Sequence, residues 1–421
     1  MKITLRGGRV IDPAAGRDEV TDVFIAAGKI AAIGSAPSDW HANKEINAAG
    51  CVVAPGLVDL AVHVKRGTLA TELAAAAAGG VTSVVCLPDT DPVLDEPGLV
   101  DMLRFRAQSF HSTHVYPLGA LTKALAGSQL SELSKLAEAG CVGFGQAETP
   151  ILDTQVLLRA MQYAATYDYA VWLRPQDPHL SREGTAHDGE VASRLGLVGI
   201  PVAAETIALT THIELARATG VRLHVCRVSC AQSVELIRRA KSEGLRITAD
   251  VSINHLHLID LDVGFFDSNF HLTPPLRSSR DRDALIAGLM DGTLDAIVSD
   301  HTPRPSSAKQ VPFSESAPGA SGLELLLSLS LRLAESADID LSKMLNMLTA
   351  RPAKAAALSA AGSLAIGASA DLCVFDPGAY RLISAASMRS AGKNTPFLGY
   401  ELPGVVRATV AAGYIAYESV A

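Results

Sequence analysis

The stretch Pro55-Gly56-Leu57-Val58-Asp59-Leu60-Ala61-Val62-His63-Val64-Lys65-Arg66 is an apolar run that leads into a histidine and then a basic pair. A nearly continuous apolar run of this length is typical of a strand that is buried on both faces of a parallel sheet. We therefore predict a strand over residues 52–62, with His63 at its carboxyl end.

Seven more runs of strand length follow, and helical stretches separate them. The strands are predicted at 81–88, 114–121, 141–146, 169–175, 222–229, 246–253 and 295–302, and helices at 71–78, 130–139, 155–165, 233–242, 283–289, 319–335 and 341–348. Eight such units predict an α/β fold, a (β/α)8 TIM barrel, whose active site lies at the carboxyl ends of the strands.

The two ends of the chain have a different pattern of short strands with turns between them. These strands are predicted at 2–5, 9–11, 22–25, 29–33, 364–367, 371–376 and 405–415. We predict that residues 1–54 and 358–421 form one composite small β domain, a β-sandwich, beside a barrel over residues 55–357.

The composition excludes several classes of protein. Hydrophobic residues make up 48% of the 421 residues and charged residues only 19%, which favours a large folded core over disorder. The net charge of -8 disfavours nucleic acid or an anionic membrane as a partner. The six cysteines form no CxxC pair, and Met1-Lys2-Ile3 begins no secretory signal, so we expect reduced thiols and a cytoplasmic protein.

Seven segments of the chain, in order, resemble those of dihydroorotases in the amidohydrolase superfamily. The first is Pro-Gly-x-x-Asp-x-Ala-x-His-x-Lys at 55–65, where the family has Pro-Gly-x-x-Asp-x-His-x-His-x-Arg. The resemblance covers nearly the whole chain and implies the amidohydrolase type of barrel. The other segments are 87–92 (Leu-Pro-Asp-Thr-Asp-Pro), 188–205, 273–277 (Thr-Pro-Pro-Leu-Arg), 299–303 (Ser-Asp-His-Thr-Pro), 312–324 and 393–397 (Lys-Asn-Thr-Pro-Phe).

The resemblance implies where a catalytic metal would be held, because the family binds metal with imidazoles and carboxylates at the strand ends. Only His63 and Asp300 keep the family's residue types, and His255 is the further imidazole that could add to them. The aligned places in strand four are residues 145–147, and Glu148 reaches the site only if that loop is shifted. The remaining metal positions carry Ala61, Arg174, Arg227 and Asn254.

Arginine at two of these positions argues against a metal. A guanidinium keeps its proton in proteins and has no lone pair to donate, and its charge repels a divalent cation. We therefore predict no metal and no confident catalytic residue. Arg174 and Arg227 are instead expected to pair with Asp300 and to fill the space of the metal.

The positions that the resemblance assigns to the substrate carboxylate are also altered. Lys65 replaces an arginine that would form a bidentate pair, and Asp89 replaces an asparagine. Pro318, Gly319 and Asn394 keep the family's form, either for substrate or for chain packing.

Other histidines are interpreted as structural. Alternation along strand six puts Val225, Arg227 and Ser229 on one face, so His224 is expected to face away and to pack. His255 and His257 alternate with leucines and are expected to share one face.

Three functions remain open. The first is a catalytically inactive dihydroorotase homologue; the resemblance implies that such a protein is a structural partner of aspartate transcarbamoylase catalytic chains in pyrimidine biosynthesis. The second is an active zinc-dependent dihydroorotase or related cyclic amidohydrolase. The third is a regulatory protein that binds a small anion through Arg174, Arg227 and Lys65. We also expect self-association into a homo-oligomer.

Overall fold

The computed structural model describes residues 1–64 and 68–419, which form two large sheets with helices packed around one of them. The strands are β1 (Lys2–Asp12), β2 (Arg17–Ala26), β3 (Lys29–Ile33), β4 (Lys44–Asn47), β5 (Val52–Pro55), β6 (Leu57–Val62), β7 (Val81–Cys86), β8 (His114–Ala120), β9 (Gly143–Gly145), β10 (Ala170–Leu173), β11 (Ala186–His187), β12 (Gly199–Ile200), β13 (Arg222–Val225), β14 (Ile247–Ser252), β15 (Ala296–Val298), β16 (Leu372–Leu382), β17 (Glu401–Ala411) and β18 (Tyr414–Glu418). The α-helices are α1 (Leu69–Ala78), α2 (Pro97–Gln108), α3 (Leu133–Glu138), α4 (Thr154–Thr166), α5 (Glu190–Leu195), α6 (Val202–Thr219), α7 (Ala231–Ser242), α8 (Ile253–His257), α9 (Ser279–Met290), α10 (Leu326–Ser336), α11 (Leu341–Leu348) and α12 (Ala350–Ala355).

The barrel is a parallel sheet in the order β6-β7-β8-β9-β10-β13-β14-β15. The segment after β15 returns to β6, where the amide of His63 donates to the carbonyl of His301 (2.9 Å) and the amide of His301 to the carbonyl of Ala61 (3.0 Å). These bonds nearly close the barrel. Each of the eight predicted strands contains an observed one, so the predicted TIM barrel is confirmed.

The first predicted strand is two strands that belong to different sheets. The strand is interrupted at Gly56. On one side, β5 pairs with β1 and β16 outside the barrel, and on the other side β6 is a barrel strand. A side chain at residue 56 would meet Thr82, because a Cβ there would lie 2.0 Å from the Thr82 Oγ1 atom. Gly56 thus lets the chain pass from one sheet to the other with no wider loop.

The second sheet combines both ends of the chain, in the order β18-β17-β16-β5-β1-β2-β3, with β4 paired to β1. It has its own apolar core, which includes Ile3, Val53 and Val374. It also contacts the barrel, since the Thr409 hydroxyl donates to the carbonyl of Ala77 in α1 (2.7 Å). The predicted β-sandwich beside the barrel is confirmed; the domain bounds 1–54, 55–357 and 358–421 stay a prediction.

Several predicted elements have other bounds or another type, and residues 364–367, predicted as a strand, form a turn-containing segment before β16. The helix predicted at 319–335 begins only at Leu326, because Gly319 has a φ of 118° and Gly322 packs so tightly on the Ser299 carbonyl that a Cβ would lie 2.4 Å from it. The strand predicted to end at 253 gives way to helix α8 there. Among the described residues, none of the helices is long and apolar enough to cross a membrane.

Candidate functional site

The carboxyl ends of five barrel strands bring five polar side chains to the mouth of the barrel. His63 follows β6, Glu148 follows β9, Arg174 follows β10, Arg227 follows β13 and Asp300 follows β15. All are buried except Glu148, which is half-buried but whose two carboxylate oxygens are inaccessible to solvent. We call these five residues the mouth cluster.

Three residues at these strand ends adopt the left-handed backbone conformation that non-glycine residues rarely use. Ala147 has a φ of 49°, and Arg227 and Asp300 each have a φ of 53°. Such conformations persist only where the surrounding structure holds them, and they concentrate at functional sites. Here they turn the chain sharply at the end of a strand, immediately before or at a charged residue of the mouth cluster.

Glu148 lies at the centre of the mouth cluster. Its Oε2 atom is 2.6 Å from the Nε of Arg174, and its Oε1 atom is in contact with Arg227 and lies 3.6 Å from the Nε2 of His63. Neither carboxylate oxygen has a well-aligned hydrogen bond to a described residue, so these contacts are ion pairs. The resemblance aligns residues 145–147 with this position, and the shifted loop brings Glu148 there instead.

The reason for that difference is visible in the loop after β9. The Gln146 side chain turns away from the mouth and donates to the Thr122 hydroxyl (2.8 Å) and to the Leu125 carbonyl (2.9 Å). The left-handed turn at Ala147 then directs the next side chain, Glu148, inward. The only sequence signal for it was an acidic residue one position beyond the aligned segment.

The expected pairing of two arginines with Asp300 is found for one of them. An Nη atom of Arg227 lies 3.0 Å from Asp300 Oδ1. Arg174 pairs instead with Glu148, and it also donates to the side chain of Gln176. The guanidiniums thus share two carboxylates, one from strand eight and one from the loop after strand four.

His63 is held by Asp89, which the resemblance assigned to substrate. The Nδ1 atom of His63 lies 2.9 Å and 2.8 Å from the two carboxylate oxygens of Asp89. With Nε2 directed toward Glu148, both ring nitrogens face carboxylates. This arrangement suits a protonated imidazolium, in which both nitrogens donate.

The pKa values follow from these contacts. Burial alone would lower the pKa of His63, but the charge of Asp89 and its hydrogen bond, together with Glu148, raise that pKa to about 9. Burial would raise the pKa of Glu148, but Arg174 and Arg227 hold it well below its usual value. Burial raises the pKa of Asp300, and Arg227 opposes this rise. The mouth cluster is therefore a set of compensated charges.

This donor set does not fit a divalent cation. Among the described residues, the cationic groups Arg174, Arg227 and protonated His63 face the carboxylates of Glu148, Asp300 and Asp89. Each carboxylate that could serve as a ligand already faces a cation, and the guanidiniums have no lone pair. The same pairing leaves Arg174 and Arg227 without free charge for an anion.

The other positions that the resemblance assigned to metal supply no ligand to the mouth. Ala61 is buried among the apolar residues inside the barrel. Asn254 is buried in α8, and its amide nitrogen donates to the Ser252 hydroxyl (3.1 Å).

Helix α8 overturns the expected common face of the two following histidines. The ring of His255 bonds the Pro275 carbonyl (3.2 Å) and that of His257 the Leu329 carbonyl (2.9 Å), so they belong to different contacts. Alternation failed because residues 253–257 are helical.

The expectation that Arg227 shares a face with Val225 is also wrong. Strand β13 ends at Val225, which packs in the large core, whereas Arg227 lies beyond the strand in a left-handed turn. His224 is packed as expected, against Trp172 with 4.0 Å between ring centroids, but it faces the interior of the barrel and does not face away from it.

One group of three residues within 1–64 and 68–419 has metal-ligand chemistry: His224, Cys226 and Asp250. Its imidazole already uses both nitrogens, since Nδ1 bonds the Thr248 hydroxyl (2.7 Å) and Nε2 bonds Asp250 (2.8 Å). Burial also raises the pKa of the Cys226 thiol well above its usual value. The imidazole nitrogens of this group therefore already have hydrogen-bond partners in the buried core.

The remaining substrate positions hold loops together. The Asn394 side chain donates to the carbonyls of Thr302 (3.1 Å) and Gly319 (2.9 Å) and accepts from the Arg304 amide (2.8 Å). Pro318 accepts from Arg304 Nε (2.9 Å). Lys65 lies outside the described residues. Asn394, Pro318 and Gly319 therefore have a clear role in packing.

Comparison with known proteins agrees with this architecture. A "Dihydro-orotase-like" family model matches residues 50–233, and an "Amidohydrolase family" model matches residues 185–417. A "Dihydroorotase-like protein" of Pseudomonas aeruginosa is 44% identical over 424 residues, which cover 99% of this chain and 100% of the relative. The chain belongs to the dihydroorotase-like family.

Other relatives widen the comparison. A "Dihydroorotase" of Geobacter sp. (strain M21) is 37% identical and is covered over its full length. The solved structure of an "L-Hydantoinase (Dihydropyrimidinase) from Arthrobacter aurescens" superposes with a TM-score of 0.87 at 25% identity, covering 99% of this chain and 96% of that one. This member of the dihydroorotase-like family therefore has the fold of the hydantoinases.

Proposed function

We propose that this chain is a non-catalytic member of the dihydroorotase-like family. The observation that carries the proposal is the mouth cluster, in which Arg174 and Arg227 pair with Glu148 and Asp300 where the family's metal would be held. A hydrolytic amidohydrolase needs a metal to lower the pKa of a water molecule. At this mouth each carboxylate of Glu148, Asp300 and Asp89 already faces a cation, so none is left free to hold a metal for that step.

The role that we propose is structural: the chain binds aspartate transcarbamoylase catalytic chains in a larger assembly. One support is the resemblance to inactive dihydroorotase homologues that accompany that enzyme. A second is that the chain has the barrel of the family, whereas the residues at the mouth of the barrel differ from the family's metal ligands.

Two measurements test the proposal. The purified chain is dialysed against zinc and then against buffer, and its metal content and its cyclisation of carbamoyl aspartate to dihydroorotate are measured beside an Asp300→Asn variant. We expect less than stoichiometric zinc at the mouth and the same background rate for both proteins. Stoichiometric zinc with turnover that Asp300→Asn abolishes would overturn the non-catalytic assignment.

The partner is tested separately by size-exclusion chromatography with light scattering. The chain and the transcarbamoylase of the same organism are mixed at micromolar concentration, with each protein alone as a control. We expect a new peak that contains both chains. Separate elution of the two would count against the structural role while leaving the question of activity untouched.

An active cyclic amidohydrolase is the second candidate. It is favoured by full-length relatives that carry the name "Dihydroorotase" at 37–39% identity. The zinc and cyclisation assays above separate it from the first candidate.

A further inference from the structure

A cavity of about 570 Å³ lies at the end of the barrel opposite to the mouth cluster. It is lined by the first residues of β8, by the carboxyl-terminal part of α2 and by the turn between β17 and β18, with Ala412 and Tyr414 on that side. Pockets of 300–1,000 Å³ at the junction of two structural units are the usual size and place for small-molecule sites.

Within residues 1–64 and 68–419, the arginine that lines the cavity has no counter-ion. Arg104 lines it, and an Nη atom of this residue donates to the Ala139 carbonyl (2.7 Å). The guanidinium packs directly on Gly140, where a Cβ would lie 2.4 Å from it. Among the described residues it forms no ion pair, and none of the residues that line the cavity is Asp or Glu. A fixed guanidinium with free donors is suited to carboxylates and phosphates.

Ser112 also lines the cavity, but its hydroxyl oxygen is inaccessible to solvent, so a ligand in the cavity does not reach it. Asp371 pairs with the lining residue His114, with 2.9 Å between its Oδ1 atom and the Nε2 atom of the histidine. This carboxylate is thus already paired.

The cavity also has an aromatic wall. The rings of His111 and Tyr414 stack with 4.7 Å between centroids and 27° between planes. His111 lies in the turn after α2 with a left-handed φ of 49°, and its amide donates to the Gln108 carbonyl (3.2 Å). Tyr414 remains 52% exposed, so its ring is available for further stacking.

From these features we infer a ligand site for a small planar anion, an aromatic or heteroaromatic ring that carries a carboxylate or a phosphate. The ring packs against His111 and Tyr414, and the anionic group is bound by Arg104. This site shares no residue with the mouth cluster, and it holds whether or not the chain is catalytic.

Isothermal titration calorimetry of the full-length chain tests the site with three probes. Benzoate represents a ring carboxylate, uridine 5′-monophosphate a ring with a phosphate, and uridine a ring without an anionic group. We expect saturable binding of benzoate or of the monophosphate, and which of them binds identifies the anionic group. Uridine should bind at least about tenfold more weakly than the monophosphate.

Two neighbouring arginines of α2 provide matched variants. Arg104→Met should weaken the binding of the anionic probe at least about tenfold, whereas Arg106→Met, on the same helix but not lining this cavity, should leave it unchanged. If Arg104→Met does not fold, Tyr414→Leu takes its place, because a half-exposed turn residue tolerates replacement. No saturable binding of either anion, equal binding of uridine and its monophosphate, or equal loss in both arginine variants would overturn the inference.

Discussion

The Oε2 atom of Glu148 lies 2.6 Å from the Nε atom of Arg174, so a loop carboxylate and an arginine at the end of the fifth barrel strand meet across the mouth of the barrel. Arg227 contacts the other oxygen of the same carboxylate and also binds Asp300. Four charged side chains from four strand ends therefore form one connected network. Arg174 and Arg227 stand where the resemblance places histidines. Their ion pairs should therefore contribute to the free energy of unfolding, which can be measured.

Arg227→Met should strongly destabilise the protein. The substitution leaves Glu148 and Asp300 with one cation fewer in a buried setting, and removing one partner of a buried ion pair costs about 3–5 kcal/mol. Urea unfolding followed by circular dichroism measures the free energy of unfolding. The control is Arg238→Met, whose exposed pair with Asp291 should change stability by less than about 1 kcal/mol. Equal effects of the two substitutions would contradict a stabilising network at the mouth.

His63 should make stability fall as the pH rises above neutrality. Its pKa is about 9 in the folded chain, against about 6.5 in an unfolded one. Its contribution, on the order of 3 kcal/mol, is therefore complete below pH about 6.5 and is lost as the pH approaches about 9.

The free energy of unfolding is measured for the wild type and for His63→Gln between pH 6.5 and 9. The upper limit is the pKa of about 9 that His63 has in the folded chain. The difference between the two proteins should shrink over this interval. His41→Gln, at an exposed position, is the control and should follow the wild type. A constant difference across the interval would show that His63 is not charged in the folded protein.

The barrel was predictable because eight apolar runs of strand length alternate with helical stretches, as expected for parallel strands that are buried on both faces. The passage from the first sheet to the barrel at Gly56 could not be predicted. It divides one continuous apolar run into two strands, and it depends on the close packing of Gly56 on Thr82. Alternation likewise failed at Arg227 and His255, where a left-handed turn and a short helix replace the extended chain.

The candidate site was predictable in its composition and less so in its connections. Substitution of arginine for histidine is visible in the sequence, and so is the loss of a ligand at Ala61. The role of Glu148 depends on the left-handed turn at Ala147, and the pairing of His63 with Asp89 depends on loop geometry. Neither leaves a periodic signal in the sequence.

Asn394→Ala should destabilise the loops around the mouth. The side chain satisfies two carbonyls and one amide, and its loss leaves buried polar groups unpaired at a cost of about 1–3 kcal/mol each. Urea unfolding is the measurement, with Asn269→Ala, at a partly exposed position, as the control. Unchanged stability of Asn394→Ala would mean that this residue is kept for a ligand and not for packing.

Metal binding should return only when the guanidiniums are removed. The triple variant Ala61→His, Arg174→His, Arg227→His supplies three imidazoles beside His63, Glu148 and Asp300, and it removes two fixed positive charges. Because imidazole has a lone pair and carries no charge when neutral, we expect this variant to retain stoichiometric zinc after dialysis, measured by elemental analysis. Circular dichroism establishes that it folds. Ala61→His alone is the matched control: it completes the histidine pair of the first strand but keeps both arginines, so it should retain no zinc at the mouth. If the single variant holds zinc as well as the triple variant does, the missing histidine, and not the pair of guanidiniums, is what keeps a metal out of the barrel.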